Sequence, residues 1–185
     1  MNNIKQKILK CNICGGLPKL TENSVQIGTT NFIIIGESPA KDGWIQSQKA
    51  FYNTSGKLQA SGRILEKLLN RIGLSIKDIY FTECCKCIIE DRKKLEICSS
   101  NCLPILIEQL NKLPCTIILT MGVHPTQAIL RMKIKRYSEV VGKKIPIRLG
   151  DKEYLLIPIY HPSPLNPKGY KDNVPIFDML RDIIK

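Results

Sequence analysis

The chain has 185 residues, 43% of them hydrophobic, with a formal net charge of +12 and a pI near 9.4. This length fits one domain, residues 1–185, that can bury a core without covalent staples, and the composition is that of a globular protein rather than a disordered one. No run approaches the roughly 18 apolar residues of a membrane span. The start MNNIKQK has no apolar signal segment, so a cytoplasmic protein with no membrane contact is expected, and the charge points to a polyanionic partner.

Residues 1–30 hold the Cys11-Asn-Ile-Cys14 pair and little periodicity, and an irregular arm folded on the domain is expected there. Residues 31–36 (NFIIIG) form a short apolar run ending in glycine, which predicts a buried strand. The long loop 37–56 that follows is uncommon inside a compact domain unless it is functional. Leu58, Ile64, Leu65, Leu68, Leu69 and Ile72 recur at helical spacing. A second strand is predicted at 79–82, then a cysteine-bearing loop at 83–98 with the charge run Glu90-Asp-Arg-Lys-Lys94. Ser99 or Ser100 can cap a helix running to about Leu113, with Pro104 tolerable only in its first turn. A third strand (117–120), a helix (124–132), a fourth strand (154–160) leading into His161-Pro-Ser-Pro-Leu165, and a short helix (175–184) complete the chain. Strands alternating with helices predict an α/β fold, three layers α/β/α around a central four-stranded parallel sheet. Ligands of such folds sit at the carboxyl ends of the strands, where the loops 37–56, 83–98 and 161–171 gather.

Eight cysteines in a chain without an export signal argue for a metal or cluster site rather than disulfides. The spacing of Cys11 and Cys14 lets both sulfurs face one metal. Cys87 follows a strand and Cys102 lies in the first turn of a helix, and four thiolates suit zinc or an iron–sulfur cluster. Cys84, Cys85 and Cys98 are rivals for the third and fourth ligands, while Cys115 begins a strand and reads as core.

Gly36-Glu-Ser-Pro-Ala40 and His161-Pro-Ser-Pro-Leu165 together resemble the two catalytic motifs of the uracil-DNA glycosylase superfamily. The CxxC arm, Thr82-Glu-Cys-Cys-Lys-Cys87 and Cys102-Leu-Pro resemble its iron–sulfur branch, the family 4-like one. The resemblance spans about residues 10–180. It implies a monomeric, monofunctional DNA glycosylase acting on double- or single-stranded DNA. It implies a structural [4Fe-4S] cluster on Cys11, Cys14, Cys87 and Cys102, with zinc as the alternative. His161 would donate to the base O2 as charge grows there. Ser163 would grip a phosphate, Leu165 would wedge into the duplex or else be core, and Phe51 would stack on the base or else be core. Backbone amides after Gly36 would line the pocket beside Ser38 and Ala40. The best-known branch has a water-aligning aspartate at the position of Ser38, so Glu37 and Asp42 become the candidate carboxylates. Lys41, Lys49, Lys57, Lys168 and Lys171 would add phosphate contacts.

Two positions depart from the uracil pattern. The family usually places an asparagine where this chain has Glu83. An ionised carboxylate only accepts hydrogen bonds, which suits the cytosine amino group, whereas a protonated one also donates and can read uracil. Ala40 stands where one branch has a tyrosine that blocks C5 substituents. The substrate is therefore expected to be uracil or a C5-modified cytosine, the latter tied to defence against phage. The alternative is a non-catalytic DNA-binding or damage-sensing module with a degraded site.

Overall fold

The fold was analysed in a computed structural model, which describes residues 2–15, 19–20 and 24–184, apart from the side chains of Asn2 and Asp42. The run Phe32–Gly36 (β2) explains the architecture. Its residues alternate faces, with Phe32 and Ile34 packing into one core and Ile33 and Ile35 into another, all four fully buried. A strand apolar on both sides must be covered on both sides. Each such side chain contributes about 1.5–3 kcal/mol by burial.

β2 is the second of four parallel strands, ordered β3 (Tyr80–Glu83), β2, β4 (Ile117–Met121) and β6 (Lys152–Ile159). This is the parallel sheet expected from sequence. Two short antiparallel strands extend it to six: β1 (Val25–Gln26) beside β3, and β5 (Ile145–Leu149) hairpinned onto β6. On one face lie α2 (Ala60–Asn70) and α6 (Val174–Ile183), presenting Leu65, Leu68, Leu69, Phe177 and Leu180. On the other lie α3 (Leu95–Asn111) and α4 (Val123–Leu130), presenting Leu103, Leu106, Leu110 and Ile129. The three layers α/β/α follow directly.

Three expectations need correction. The arm is not irregular throughout: Asn2–Lys10 forms a helix (α1) that buries Ile4 and Ile8, one turn apart, and packs on α3, where Lys7 pairs with Glu108. Its polar majority hid this two-residue apolar stripe. β1 also falls within the expected arm. The third helix starts at Leu95, not at Ser99 or Ser100, so Pro104 and Cys102 are interior rather than in the first turn. A turn of 3-10 helix, Arg92–Lys94, feeds into α3, with the Asp91 side chain accepting from the Lys93 N–H (3.1 Å). Proline frees the carbonyl four residues back. Pro104 and Ser100 both face solvent, where water can satisfy that carbonyl.

Candidate functional site

The carboxyl ends of β2, β3 and β6 bring the two motifs together. The β2–β3 ladder continues past both strands: the Cys84 N–H donates to the Gly36 carbonyl and the Cys85 N–H to the Glu37 carbonyl, each 2.9 Å. Gly36 and Glu83 are register partners. Any Cβ at Gly36 would overlap Glu83 Oε2 and lie 3.0 Å from the Phe81 ring, so the strand must end in glycine for the carboxyl to lie across it. Glu83 is 8% exposed, and its Oε2 has no hydrogen-bond partner. Burial pushes the Glu83 carboxyl up to about 8, against the opposing Lys86 ammonium and with help from the Glu37 charge. At neutral pH the group is therefore a carboxylic acid with one donor and free acceptor capacity.

Glu37 is held by Arg92 through both oxygens, at 2.8 and 2.9 Å. His161 follows β6 and stays open to solvent, yet the surrounding walls exclude enough water to lower its pKa below the ordinary imidazole value. The charge on Glu37 opposes that shift and the charge on Arg92 adds to it, so both charges lie within reach of His161. The imidazole is neutral at pH 7 and so has one N–H to donate. Its backbone is fixed from below. The His161 carbonyl accepts from Ser163 N–H (2.8 Å) and from Asn166 Nδ2 (3.1 Å). Gly169, the second residue of a short helix α5 (Lys168–Lys171), abuts this loop; a Cβ there would lie 2.6 Å from the His161 carbonyl oxygen.

Sequence reasoning missed three residues here. Asn173, fully buried, accepts from the Tyr160 N–H (2.9 Å) and donates to the Tyr160 carbonyl (2.8 Å) and the Gly169 carbonyl (2.9 Å). It clamps the strand end that carries His161. Arg92 stood in a charge run that reads as solvated surface. Lys86 is 1% exposed, and its ammonium donates to Thr82 Oγ1 (2.8 Å) and the Glu83 carbonyl; burial lowers its pKa to about 8. No signal short of the fold links Arg92 or Asn173 to the motifs.

The other expected residues fall as follows. Ser38 is half-buried and Ala40 exposed at the start of the 37–56 loop. Asp42 lies in a π-helical turn, Lys41–Ile45, with its side chain outside the described part. Phe51 is core: it is 8% exposed and packs on Phe81 at 4.4 Å between ring centroids, beneath Gly36. Its φ of +68° is left-handed backbone, a strained state for a bulky residue that surrounding structure must enforce. The Gln59 N–H bond to the Phe51 carbonyl (2.8 Å) is one such restraint. Leu165 is not core. It is 95% exposed at the tip of the 161–167 loop, where the Ser163 hydroxyl accepts from its N–H at 3.3 Å. Lys168 is exposed, with Nζ 5.4 Å over the Tyr160 ring, and Lys41, Lys49, Lys57 and Lys171 are exposed as well. A cavity of about 550 Å³ between α3 and α4, lined by Glu96, Ser99, His124 and Arg131 among others, contains none of the motif residues.

Cysteines from the arm, from the loop after β3 and from α3 come together. Lys19 bridges to Cys87 and its ammonium donates to the Leu9 and Cys11 carbonyls, which ties the arm down. Cys11, Cys14 and Cys102 all act on Cys87, which burial pushes up to about 11. Cys98 is pushed up to about 12 by burial and by a side-chain hydrogen bond with Cys14. Cys102 Sγ accepts the Lys86 N–H at 3.4 Å. Of the rivals, Cys85 and Cys98 therefore border this group, whereas Cys84 belongs to the core against α3, where Cys115 also lies as expected. Buried thiols that raise one another's pKa need a cation to become thiolates, so the donor set fits a metal-containing group. Among the described residues, no three Cys, His, Asp or Glu side chains converge as a single ion requires.

A parallel sheet clad on both faces, with a histidine loop, a glycine-ended strand and a buried acid at one edge, defines a class of α/β proteins that bind at the strand ends. The model of the uracil DNA glycosylase superfamily matches residues 23–182, and the chain belongs to this superfamily. It is 32% identical over 171 residues to the type-4 uracil-DNA glycosylase of Saccharolobus solfataricus, covering 86% of this chain and 74% of that protein. The type-4 uracil-DNA glycosylases of Archaeoglobus fulgidus (26% identity, 88% and 81% covered) and Pyrobaculum aerophilum (25%, 88% and 83%) are similar as well.

Proposed function

We propose that this protein is a monofunctional DNA glycosylase that flips a base out of DNA, hydrolyses its N-glycosidic bond and leaves an abasic site. The observation that carries the reading is the convergence of His161, Glu37 and the unpartnered acid Glu83 on one mouth at the strand ends. The names of the related proteins support uracil as the base. The neutral Glu83 carboxyl supports it independently: its O–H would donate to O4 and its carbonyl oxygen would accept from N3–H. His161, a neutral donor, would stabilise the charge growing on O2 as the bond breaks. Glu37 would orient the attacking water and balance the cationic sugar. Exposed Leu165 would fill the gap left by the flipped nucleotide, offsetting part of an unstacking cost of a few kcal/mol, while Ser163 and the lysines hold phosphates.

Cys11, Cys14, Cys87 and Cys102 would hold a [4Fe-4S] cluster. When bound, the cluster supplies a cross-link between the arm, the β3 loop and α3 rather than reaction chemistry. Brown colour and iron with sulfide in the purified protein would favour it over zinc.

One observation favours a second substrate. Exposed Ala40 leaves the C5 side without a bulky guard, and a neutral acid can also accept from the cytosine amino group while donating to N3. A C5-substituted cytosine, of the kind that modified phage DNA carries, would give the protein a role in defence. Duplexes and single strands carrying uracil, cytosine, hydroxymethylcytosine or its glucosylated form, assayed for abasic sites, test both. Uracil excision alone selects the repair reading, and excision of modified cytosine alone selects the other. No excision from any of them, with DNA binding retained, leaves a non-catalytic binding module.

A further inference from the structure

We propose that Arg92 is a positioning residue for base excision, gripping Glu37 so that its carboxylate is held at the His161 side of the mouth. This rests on the glycosylase reading above.

The two oxygens of Glu37 meet the two terminal nitrogens of Arg92 at 2.8 and 2.9 Å, a fork-on-fork pair that fixes the plane of the carboxylate as well as its place. Among the described residues, Glu37 is otherwise anchored through its backbone, by the bond from Cys85 N–H. Its side chain follows a glycine-ended strand and is 24% exposed, so the guanidinium is what limits its rotation. Each oxygen keeps a lone pair directed away from the fork, and that pair can accept from a water. Arg92 reaches this position because the β2–β3 ladder runs on past Gly36 and Glu83, carrying the 84–92 loop alongside Glu37. The Asp91 cap on the Lys93 N–H then fixes the short 3-10 turn that presents Arg92.

Stability is a weak explanation for this pair. The Arg92 side chain is 64% exposed, and an ion pair so exposed to water adds little to stability. The Arg92 charge also reaches His161. Burial is the main cause that lowers the imidazole pKa, the Arg92 charge lowers it further, and the Glu37 charge raises it. A residue that orients the carboxylate and helps to keep the histidine neutral acts on both groups at the mouth.

The test uses the full chain with its cysteine site intact and a short uracil-containing single strand. Arg92→Ala is expected to lower kcat by about ten- to a hundredfold with KM within about twofold, the pattern of a misplaced group rather than of lost binding. Arg92→Lys, which keeps the charge and loses the fork, should recover part of that loss. The His161 titration followed by NMR should move upward in Arg92→Ala and stay near wild type in Arg92→Lys. Lys93→Ala, an exposed neighbour, is the control. Wild-type kcat in Arg92→Ala overturns the proposal. So does a raised KM with unchanged kcat and a salt slope reduced by about one, which would make Arg92 a phosphate contact. If wild type excises no base, the glycosylase reading fails instead.

Discussion

Glu83 is the residue at which chemistry and stability pull in opposite directions. Its folded pKa, raised to about 8 by burial, stands far above the 4.5 of an ordinary glutamate. The folded state thus holds a proton that the unfolded chain releases, and between those two values stability falls as pH rises. Glu83→Gln removes that loss. It should raise the melting temperature over wild type, with a larger gain at pH 8 than at pH 5, as scanning calorimetry would record. The same titration shapes activity: as pH passes about 8 the acid becomes acceptor-only and faces O4 of uracil with a lone pair. Uracil excision by wild type should decline through that pH, and Glu83→Gln, which donates at every pH, should lose the decline. A descending limb that survives in Glu83→Gln would assign it to another group. Sequence identified Glu83 as the odd residue of its motif. Its protonation was not legible there, because burial and the charges of Lys86 and Glu37 set it.

At the scale of elements, the histidine loop is held by the residue that caps the next long helix. Asn173 precedes α6 and satisfies both backbone groups of Tyr160 as well as the Gly169 carbonyl. Asn173→Ala would strand buried backbone groups at about 1–3 kcal/mol for each one left unpaired. It should lower stability in urea and reduce kcat more than KM, because the chain displaced is the one leading to His161. Asn173→Asp keeps the acceptor for the Tyr160 N–H and loses both donors, so it should fall between wild type and Asn173→Ala. The elements that were legible are those whose pattern is extreme. β2 and β4 are apolar on both faces, and α2 repeats leucines at helical spacing. β5 was missed because it is an edge strand, with proline and arginine alternating outward in Ile-Pro-Ile-Arg-Leu. α1 was missed because two isoleucines carry its whole buried face. Asn173 resembled an ordinary turn residue, since its partners come from thirteen and four positions away and meet only in the fold.

For the whole molecule, the net charge of +12 matters through its placement. Lys41, Lys49, Lys57, Lys168 and Lys171 are exposed on the loops that surround the mouth or on the helix beside the histidine loop. A phosphate chain crossing the mouth meets them together, and each neutralised phosphate releases counterions. The logarithm of DNA affinity should therefore fall linearly with the logarithm of salt concentration. The slope per contact should be about −0.9 for duplex and about −0.7 for single strands. Lys168 and Lys171 flank Gly169, whose close approach to the His161 carbonyl fixes α5 against the catalytic loop, so their ammonium groups start from a positioned backbone. Replacing both with alanine should weaken binding to uracil-containing and uracil-free DNA alike and flatten the slope by about one per lysine, while kcat at saturating DNA is kept. Fluorescence anisotropy over a salt series measures both quantities. An unchanged slope in the double variant would move the phosphate track to the other side of the mouth, onto Lys41, Lys49 and Lys57.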